Sequence, residues 1–575
     1  MSDQDNRIEY DLLLIGGSPS NLTLAYEFLK LAKTSSREFS IAILEKSKEF
    51  GGHIMSGAVS NPHVLKKIFP NYEELGFPVE AICDDSNVSV LGINKKWDLP
   101  SFVYPKSMDK TGYMVLTLSY VTAWLARQVE ELAKDVPNVS LDIFTGFSAH
   151  SVKIENEKVV GVSVVEEPKS DDDYVFAKFS AFGDKGFISR DVIDHFKLRN
   201  NPQIWSVGVK EVWQCNANYS GKVWHTLGYP LLDGTFGGGF VYGMKDNKLT
   251  IGLVISLDSQ DPNLNPQEKL QEYKKHPWIQ GMIKDGKLLK YGAALLPEGG
   301  YYSLPSKFYV NGAILLGDAL GVLDVKNLAG IDRAMECGHI AAKVIYDAII
   351  NDNYHSDALK DYQLKLQDSF VIKEAYNNRY FRYAFQENHD LLGKYLPDIA
   401  KSIDKSSPYF GMLKIGFKHP FKSTKDGLRS LALIEGKIDI GPITYKSDSS
   451  HIIPDFVKPK YDEPVNYDKQ TIYSRPDAVF FASTKYHEGN KHIDEFKAQT
   501  CVTCIQKYES LNKTTPCVSD CTAEVHRIDV IDSVKRHGMS LENCIHCRTC
   551  EIVCPELNLR VKPTSQGSGP DFQGL

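Results

Sequence analysis

The 575-residue chain lacks several features, and each absence removes a class of answer. It has no run of about 18 consecutive apolar residues, so the sequence offers no membrane-spanning helix. Its first residues, MSDQDNRIEY, are polar and hold no apolar stretch, so export is not expected. A surplus of one charge is missing too. With 66 basic and 73 acidic residues and a formal net charge of −7, there is no basic stripe for a nucleic-acid backbone, and no nucleic-acid partner is expected. Neither tandem repeats nor long low-complexity segments occur. No Ser–His–Asp set or carboxylate pair stands out, so no catalytic residue of that kind is expected. Cysteine is scarce through the first 500 residues, where Cys83, Cys215 and Cys337 stand singly in apolar surroundings and read as core.

The remaining eight of the eleven cysteines are crowded into the last 75 residues: Cys501, Cys504, Cys517, Cys521, Cys544, Cys547, Cys550 and Cys554. The segment CIHCRTCEIVCP is C-x2-C-x2-C-x3-C-P, the bacterial ferredoxin run. Three thiolates on one tight loop can cap three iron corners of a cubane, while the fourth enters the next helical turn and points away. Pro555, with a fixed φ and no donor, helps set that turn. Upstream, Cys501 and Cys504 form a C-x2-C pair, and Cys517 and Cys521 form an x3-spaced pair displaced by an insertion. Crossed ligation then gives one cluster to Cys501, Cys504, Cys517 and Cys554, and a second to Cys521, Cys544, Cys547 and Cys550. The expectation is two [4Fe-4S] clusters, with one as the minimum. Zinc sites of four cysteines favour two C-x2-C pairs each and fit this spacing poorly. A disulfide framework calls for an exported, core-poor domain.

The other end opens a nucleotide fold. Tyr10–Gly16 reads as a buried parallel strand. The following turn and helix place Leu24, Phe28 and Leu31 on one face, and Phe39–Lys46 is the next strand, closed by Glu45. In this βαβ arrangement a helix N-terminus receives a pyrophosphate and an acidic side chain takes ribose hydroxyls. The glycine fingerprint is incomplete: Gly16 is present, but Ser18 and Asn21 stand where glycines are usual, and Asn21 is expected to push the helix outward. Two later glycine turns follow strands, at Gly183-Asp184 and at Gly317-Asp318, and a long helix begins after Gly330. Three such turns closing one site describe an FAD fold more than an NAD fold. His53 is a candidate for contact with the flavin ring, or an ordinary satisfied histidine.

With these motifs in place, the chain resembles the electron-transfer-flavoprotein:quinone oxidoreductase family, including FixC-type flavoproteins with a FixX-like ferredoxin partner. The similar segments are GGHIMSGAV (51–59), SVGVKEVW (206–213), GYPLLDGTFGGGFVY (228–242), YGAALLPEGGYYSLP (291–305), CTAEVH (521–526) and NCIHCRTC (543–550). The resemblance implies that the family's single cluster maps to Cys521, Cys544, Cys547 and Cys550. Cys501, Cys504, Cys517 and Cys554 depart from the single-cluster pattern.

The expected fold class is α/β: a Rossmann-like FAD domain (1–400, discontinuous) with an interleaved mixed-sheet quinone or substrate region at about 190–310. A connecting region, 401–490, and a ferredoxin-like iron–sulfur domain, 491–575, follow. The function implied by the resemblance is oxidoreduction: electrons pass from reduced electron-transfer flavoprotein through iron–sulfur and FAD to a membrane quinone. A candidate quinone mouth is Thr235–Phe240, with Phe236, Gly237 and Gly238 foremost. Peripheral membrane contact through Ser406–Phe421 and a place on the cytoplasmic face of a bacterial inner membrane are expected. Two alternatives remain open: a geranylgeranyl-reductase-like flavoprotein acting on polyprenyl double bonds, and a non-enzymatic electron-transfer or assembly subunit.

Overall fold

A computed structural model describes residues 9–55, 57–101, 104–392, 398, 421–445, 452–457, 465–487, 491–564 and 566–575. The opening unit is strand β1 (Glu9–Ile15), helix α1 (Pro19–Ala32) and strand β2 (Phe39–Glu45). Strand β3 (Asp85–Leu91) leaves for a second sheet. Helix α2 (Leu118–Lys134) and strands β4 (Val139–Thr145) and β5 (Tyr174–Phe182) return to the first. The long strands β6 (Trp205–Gln214), β7 (Lys222–Gly228), β8 (Gly237–Gly243), β9 (Lys248–Ser256) and β10 (Lys287–Pro297) build the second sheet. Strand β11 (Ala313–Leu315) and helix α3 (Ile331–Ile350) complete the nucleotide fold.

The centre of the first sheet runs β11-β5-β1-β2-β4 with each neighbouring pair parallel, while Tyr309–Val310 adds an antiparallel edge beside β11 and the Ser151–Glu155 and Lys158–Ser163 hairpin pairs antiparallel with β5. Strands covered on both faces must be apolar throughout, and Leu12, Leu13, Leu14, Ile41, Ala42 and Ile43 are fully buried. The turns after β1, β5 and β11 therefore open on the same edge, the carboxyl ends of the strands, where ligands of such sheets bind. The second sheet runs β10-β6-β9-β8-β7-β3 and ends on Lys96–Asp98. It thus draws on residues 85–98 as well as on the expected 190–310 region. Sequence separation hid this: Asp85–Leu91 lies in parallel register with Lys222–Gly228 across more than a hundred residues of intervening chain.

Helix α1 is more deeply enclosed than its periodicity implies. Leu24 and Phe28 are buried as expected, but Leu31 is only half-buried, while Leu22, Ala25, Leu29 and Ala32 are fully buried. The cause is contact on several sides, with the sheet and with α2 and α3. Gly338 on α3 allows the closest approach, since a Cβ there would lie 2.1 Å from the Ser20 carbonyl oxygen.

Asn21 does not displace the helix. Its Nδ2 donates to the carbonyls of Ile15 (2.9 Å), Gly16 (2.9 Å) and Ala181 (3.2 Å), tying the turn to β1 and β5. The space comes from Gly183, where a Cβ would stand 2.4 Å from Ser18 Oγ and 2.7 Å from Asn21 Nδ2. Replacing Asn21 with Ala removes donors from buried carbonyls. Asn21→Ala is expected to cost about 1–3 kcal/mol and to lower the denaturation midpoint at constant slope. An unchanged midpoint removes Asn21 from the account of the turn.

Candidate flavin cavity and cysteine clusters

One cavity of about 990 Å3 reaches from the three glycine turns to the face of the second sheet. That is the upper end of the range for small-molecule sites. It is lined by Gly16, Ser18, Glu45, His53, Gly183, Asp184, Gly317, Asp318 and Gly330, and also by Phe236, Gly237 and Gly238. Of the expected cofactor residues, Asn21 alone is not on its wall; it braces the turn from behind.

The donors fit a dinucleotide. Helix α1 begins at N-cap Ser18 with Pro19 at its first position and no acidic residue in its first turn, so its positive end is left for an anion. Glu45 is held rather than loose: Oε2 accepts from Gly17 N and Oε1 from Ser47 N, both at 2.8 Å, and each oxygen keeps a further lone pair. Asp184 Oδ2 caps Ile188 N at 2.9 Å, while its buried Oδ1 has no partner among the described residues. Burial raises the Asp318 carboxyl above the usual range. His53 Nδ1 is also buried and unpartnered, and burial followed by Lys46 holds the ring well below 6.5, so it is neutral at pH 7.

The floor of the cavity is made of small residues in one row. Gly238 pairs with Val254, Val254 with Gly208, and Gly208 with Ala294, so three of these four neighbouring strands offer little or no side chain there and the fourth a single valine. Lys210 follows on β6, and burial pushes its ammonium down to about 7, against a raising effect of Glu80. Glu298 lies just beyond β10, and burial pushes its carboxyl up to about 7. His225 and Tyr242 share a buried 2.8 Å hydrogen bond on the same wall, and burial holds the imidazole down to about 3. No motif pointed to these four residues. For Lys210, His225 and Tyr242 the signal is alternation along the strands, charged or polar residues at positions that the period places indoors; Glu298, beyond its strand, has none.

The cysteine region starts with helix α4 (Ala498–Ser510), bearing Cys501 and Cys504, and helix α5 (Pro516–Ser519), bearing Cys517. Helix α6 (Thr549–Ile552) carries Cys550, and Cys554 follows it. No disulfide joins any of the eleven cysteines. Cys83, Cys215 and Cys337 are buried, and burial pushes each up to about 11, as suits inert core residues.

The other eight fall into two neighbourhoods. Cys517 is raised by burial, then by Cys554, Cys504 and Cys501, and both Cys501 and Cys504 feel Cys554. Cys550 is raised by burial, then by Cys521, Cys544 and Cys547, and Cys544 feels Cys547 and Cys521. Several sulfurs already accept N–H bonds: Cys501 from Asn558 Nδ2 (3.2 Å), Cys554 from Asn558 N (3.2 Å), Cys521 from Val525 N (3.3 Å) and Cys544 from His546 N (3.3 Å). Such bonds suit thiolates held by metal. Beside Cys501, the donor atoms of Glu495 and His537 also lie within 4.8 Å.

The two halves meet in one wall. Ile545, His546, Cys547 and Arg548 line the flavin cavity. The His546 ring stacks on Phe187 at 4.9 Å, and Lys46 Nζ lies 3.2 Å from its Nδ1. Burial lowers the Lys46 ammonium to about 8 and His546 well below 6.5. The last residues turn back into the same place. Phe572 N donates to Gly52 O at 2.7 Å, and Leu575 is fully buried. This tail, PTSQGSGPDFQGL, gave no such signal, because its composition is that of a loose terminus. The segment Ser406–Phe421 lies outside the described residues, apart from the backbone of Phe421.

Comparison with known proteins agrees with this layout. Residues 205–296 match the family model for the ETF-QO ubiquinone-binding region, and residues 469–573 match the model for the electron transfer flavoprotein-ubiquinone oxidoreductase 4Fe-4S region. The probable mitochondrial electron transfer flavoprotein-ubiquinone oxidoreductase of Schizosaccharomyces pombe is 30% identical over 98% of this chain and 85% of its own. The Pseudomonas aeruginosa electron transfer flavoprotein-ubiquinone oxidoreductase is 29% identical over 99% of both chains. Among solved structures, a geranylgeranyl bacteriochlorophyll reductase-like protein of Thermoplasma acidophilum shares the fold over 74% of this chain and 96% of its own, with a TM-score of 0.53 and 17% identity. The α/β flavin fold and the iron–sulfur region joined to it are those of one group of enzymes, and the chain belongs to the electron transfer flavoprotein-ubiquinone oxidoreductase family.

Proposed function

We propose that the chain accepts electrons from a reduced electron-transfer flavoprotein and passes them, by way of iron–sulfur and FAD, to a membrane quinone. The observation that carries this reading is that Cys547 and the three glycine turns line the same cavity. Bound FAD exchanges electrons in pairs or singly and a cubane carries one, so the pair matches single-electron delivery to two-electron quinone chemistry.

The residues divide the work. Gly16, Gly183 and Gly317 would leave room for the cofactor, and the α1 N-terminus with Ser18 would supply donors to its phosphates. Glu45 is assigned to ribose hydroxyls, with Asp184, Asp318 and the start of α3 after Gly330 at the remaining polar edges. Asn21 keeps the turn in place. Phe236 offers an apolar wall and Gly237 and Gly238 a floor for the quinone head. Cys521, Cys544, Cys547 and Cys550 are assigned to the cluster beside the flavin. Cys501, Cys504, Cys517 and Cys554 are assigned to a second, outer cluster. The domain limits follow the same reading: a discontinuous flavin domain within 1–400, a connecting region to about 490, and the cysteine domain beyond.

Quinones with long tails stay in lipid, so the cavity needs a mouth at a membrane. Among the described residues no helix is long and apolar enough to cross one. Peripheral contact is supported by the helix Phe421–Ile434, where Leu428 and Leu431 line the cavity yet are 63% and 45% exposed. The cytoplasmic face of a bacterial inner membrane is the assigned place; the relatives above include mitochondrial and bacterial proteins, so fractionation decides it.

Three measurements test these assignments. About eight irons per chain, with matching sulfide and one flavin, are expected after anaerobic purification. Cys554→Ser should remove the outer cluster and leave the EPR signal of the inner one. About four irons in the wild type, or zinc recovered at Glu495, Cys501 and His537, withdraws the outer cluster. In the second measurement, reduced electron-transfer flavoprotein should reduce a short-chain quinone only when this protein is present, and Gly238→Leu should slow that step at least tenfold while cluster reduction continues. Saturation of a prenyl lipid in place of quinone reduction would favour the reductase alternative. In the third, Leu428→Asp with Leu431→Asp should abolish liposome flotation of the folded protein; unchanged flotation moves the membrane face elsewhere.

A further inference from the structure

Quinone reduction consumes two protons, and the row of Gly238, Val254, Gly208 and Ala294 offers none. The period of the second sheet shows where one can come from. Residues 206, 208 and 210 of β6 share a face, as do 254 and 256 of β9 and 294 and 296 of β10. Gly208, Lys210, Val254, Ala294 and Leu296 line the cavity, so Ser206 and Ser256 look to the same side. These two serines are a directly opposed antiparallel pair, whose Cβ atoms in such registers stand about 4.5–5.5 Å apart.

Each serine leads to a carboxylate. Ser206 Oγ donates to Glu298 Oε2, and Glu298 is a wall residue of the cavity. Ser256 Oγ donates to Asp258 Oδ1 at 2.6 Å. Asp258 borders a second, smaller pocket with Asp233, Ser259, Gln260 and His389, which shares Phe236 and Phe385 with the wall of the main cavity. Asp258, Ser256, Ser206 and Glu298 therefore form a polar file that is hydrogen-bonded within each serine–carboxylate pair, the two serines being neighbours by strand register.

We propose that Glu298 hands protons to the quinone bound on the Gly208–Gly238 floor and is recharged through Ser206, Ser256 and Asp258. This deepens the proposed function and rests on it. The balance is that of quinol formation, with two electrons and two protons added. The electrons come from the donor flavoprotein by way of the bound cofactors. Glu298 breaks its O–H bond as the nearer quinone oxygen forms one, and the vacated carboxylate takes a proton from water along the file. The second proton follows the same route once the first is replaced.

The groups around Glu298 fit a donor. Burial raises its carboxyl to about 7; Ser206 and the Arg382 guanidinium on the neighbouring helix oppose that rise, and Asp258 adds to it. Arg382 is committed elsewhere, since it donates to Ser256 Oγ at 2.7 Å and pairs with Asp258. Tyr445, close enough to feel both Arg382 and Asp258, stays neutral because burial raises its phenol. Lys210, farther along the floor, is the remaining titratable group on this face of β6. A group with a raised folded value holds its proton below that value and loses it above, so the donor is present below about pH 7 and depleted above it.

The test is Glu298→Gln in the complete enzyme with its cofactors. The rate of quinone reduction should fall about a hundredfold near pH 6, and the decline above pH 7 seen in the wild type should vanish. Flavin reduction by the donor flavoprotein should keep its wild-type rate. Infrared difference spectra on quinone reduction should show a protonated-carboxyl band that Glu298→Gln lacks and Glu298→Asp partly restores. If Glu298→Gln does not fold, the Ser206→Ala, Ser256→Ala double variant should show the same slowed step. A variant with the wild-type rate and pH profile overturns the proposal, as does a carboxyl band that survives Glu298→Gln. A wild-type enzyme that reduces no quinone overturns the proposed function instead.

Discussion

Everything depends on one ionic bridge between the two halves of the chain. Glu551, on the helix that carries Cys550, is half-buried between Arg548 and Arg190, and these two cations outweigh its desolvation and hold its carboxyl down to about 2. Arg548 in turn donates to Lys185 O at 2.6 Å and lies over the rings of Phe187 and Trp205. A buried carboxylate is tolerated only when it is paired, and breaking one partner leaves a charge with nowhere to go. The bridge therefore acts as a register pin. It fixes the cysteine loop against the flavin wall, and with it the closeness of Cys547 to the cavity. The surrounding contacts, Arg560 with Asp191 and Tyr291 Oη with Thr522 O at 2.8 Å, follow the same seam.

The parts legible in the sequence were those whose chemistry demands a local pattern. Cubane ligation needs thiols at short fixed spacings, so the run from Cys544 to Cys554 announced itself. A buried parallel strand needs an unbroken apolar run, so Leu12–Ile15 and Ile41–Leu44 did as well. The parts that stayed hidden are assembled from distant strands. Gly208, Gly238, Val254 and Ala294 carry no motif; they become a floor only when four strands are placed side by side. The same holds for Lys46 and His546, which meet across 500 residues of chain.

The second sheet illustrates how an apolar cavity can host a polar reaction. Small residues along one row let a flat ligand approach the backbone, while the ionisable groups, Lys210 and Glu298, stand at the row's margins. Burial moves both toward neutrality, the lysine down and the glutamic acid up, because neither has enough compensating charge to stay ionised at no cost. A floor lined by ionised groups would hold water and repel a quinone. A floor with none would have no proton to give.

The phosphate turn makes a related point about motifs. The glycine fingerprint is usually read as three positions, but what it specifies is space: room for the turn, for the ligand and for the helix against the strand. Here Ser18 and Asn21 fill two of those positions with side chains, and the room is returned by Gly183 on the neighbouring strand and by Gly338 on the helix packed against α1. Asn21 then uses its amide to fasten the turn it would otherwise crowd. A chain can thus move the missing side chains from one element to the one facing it, and the site keeps its shape while the linear signature fades.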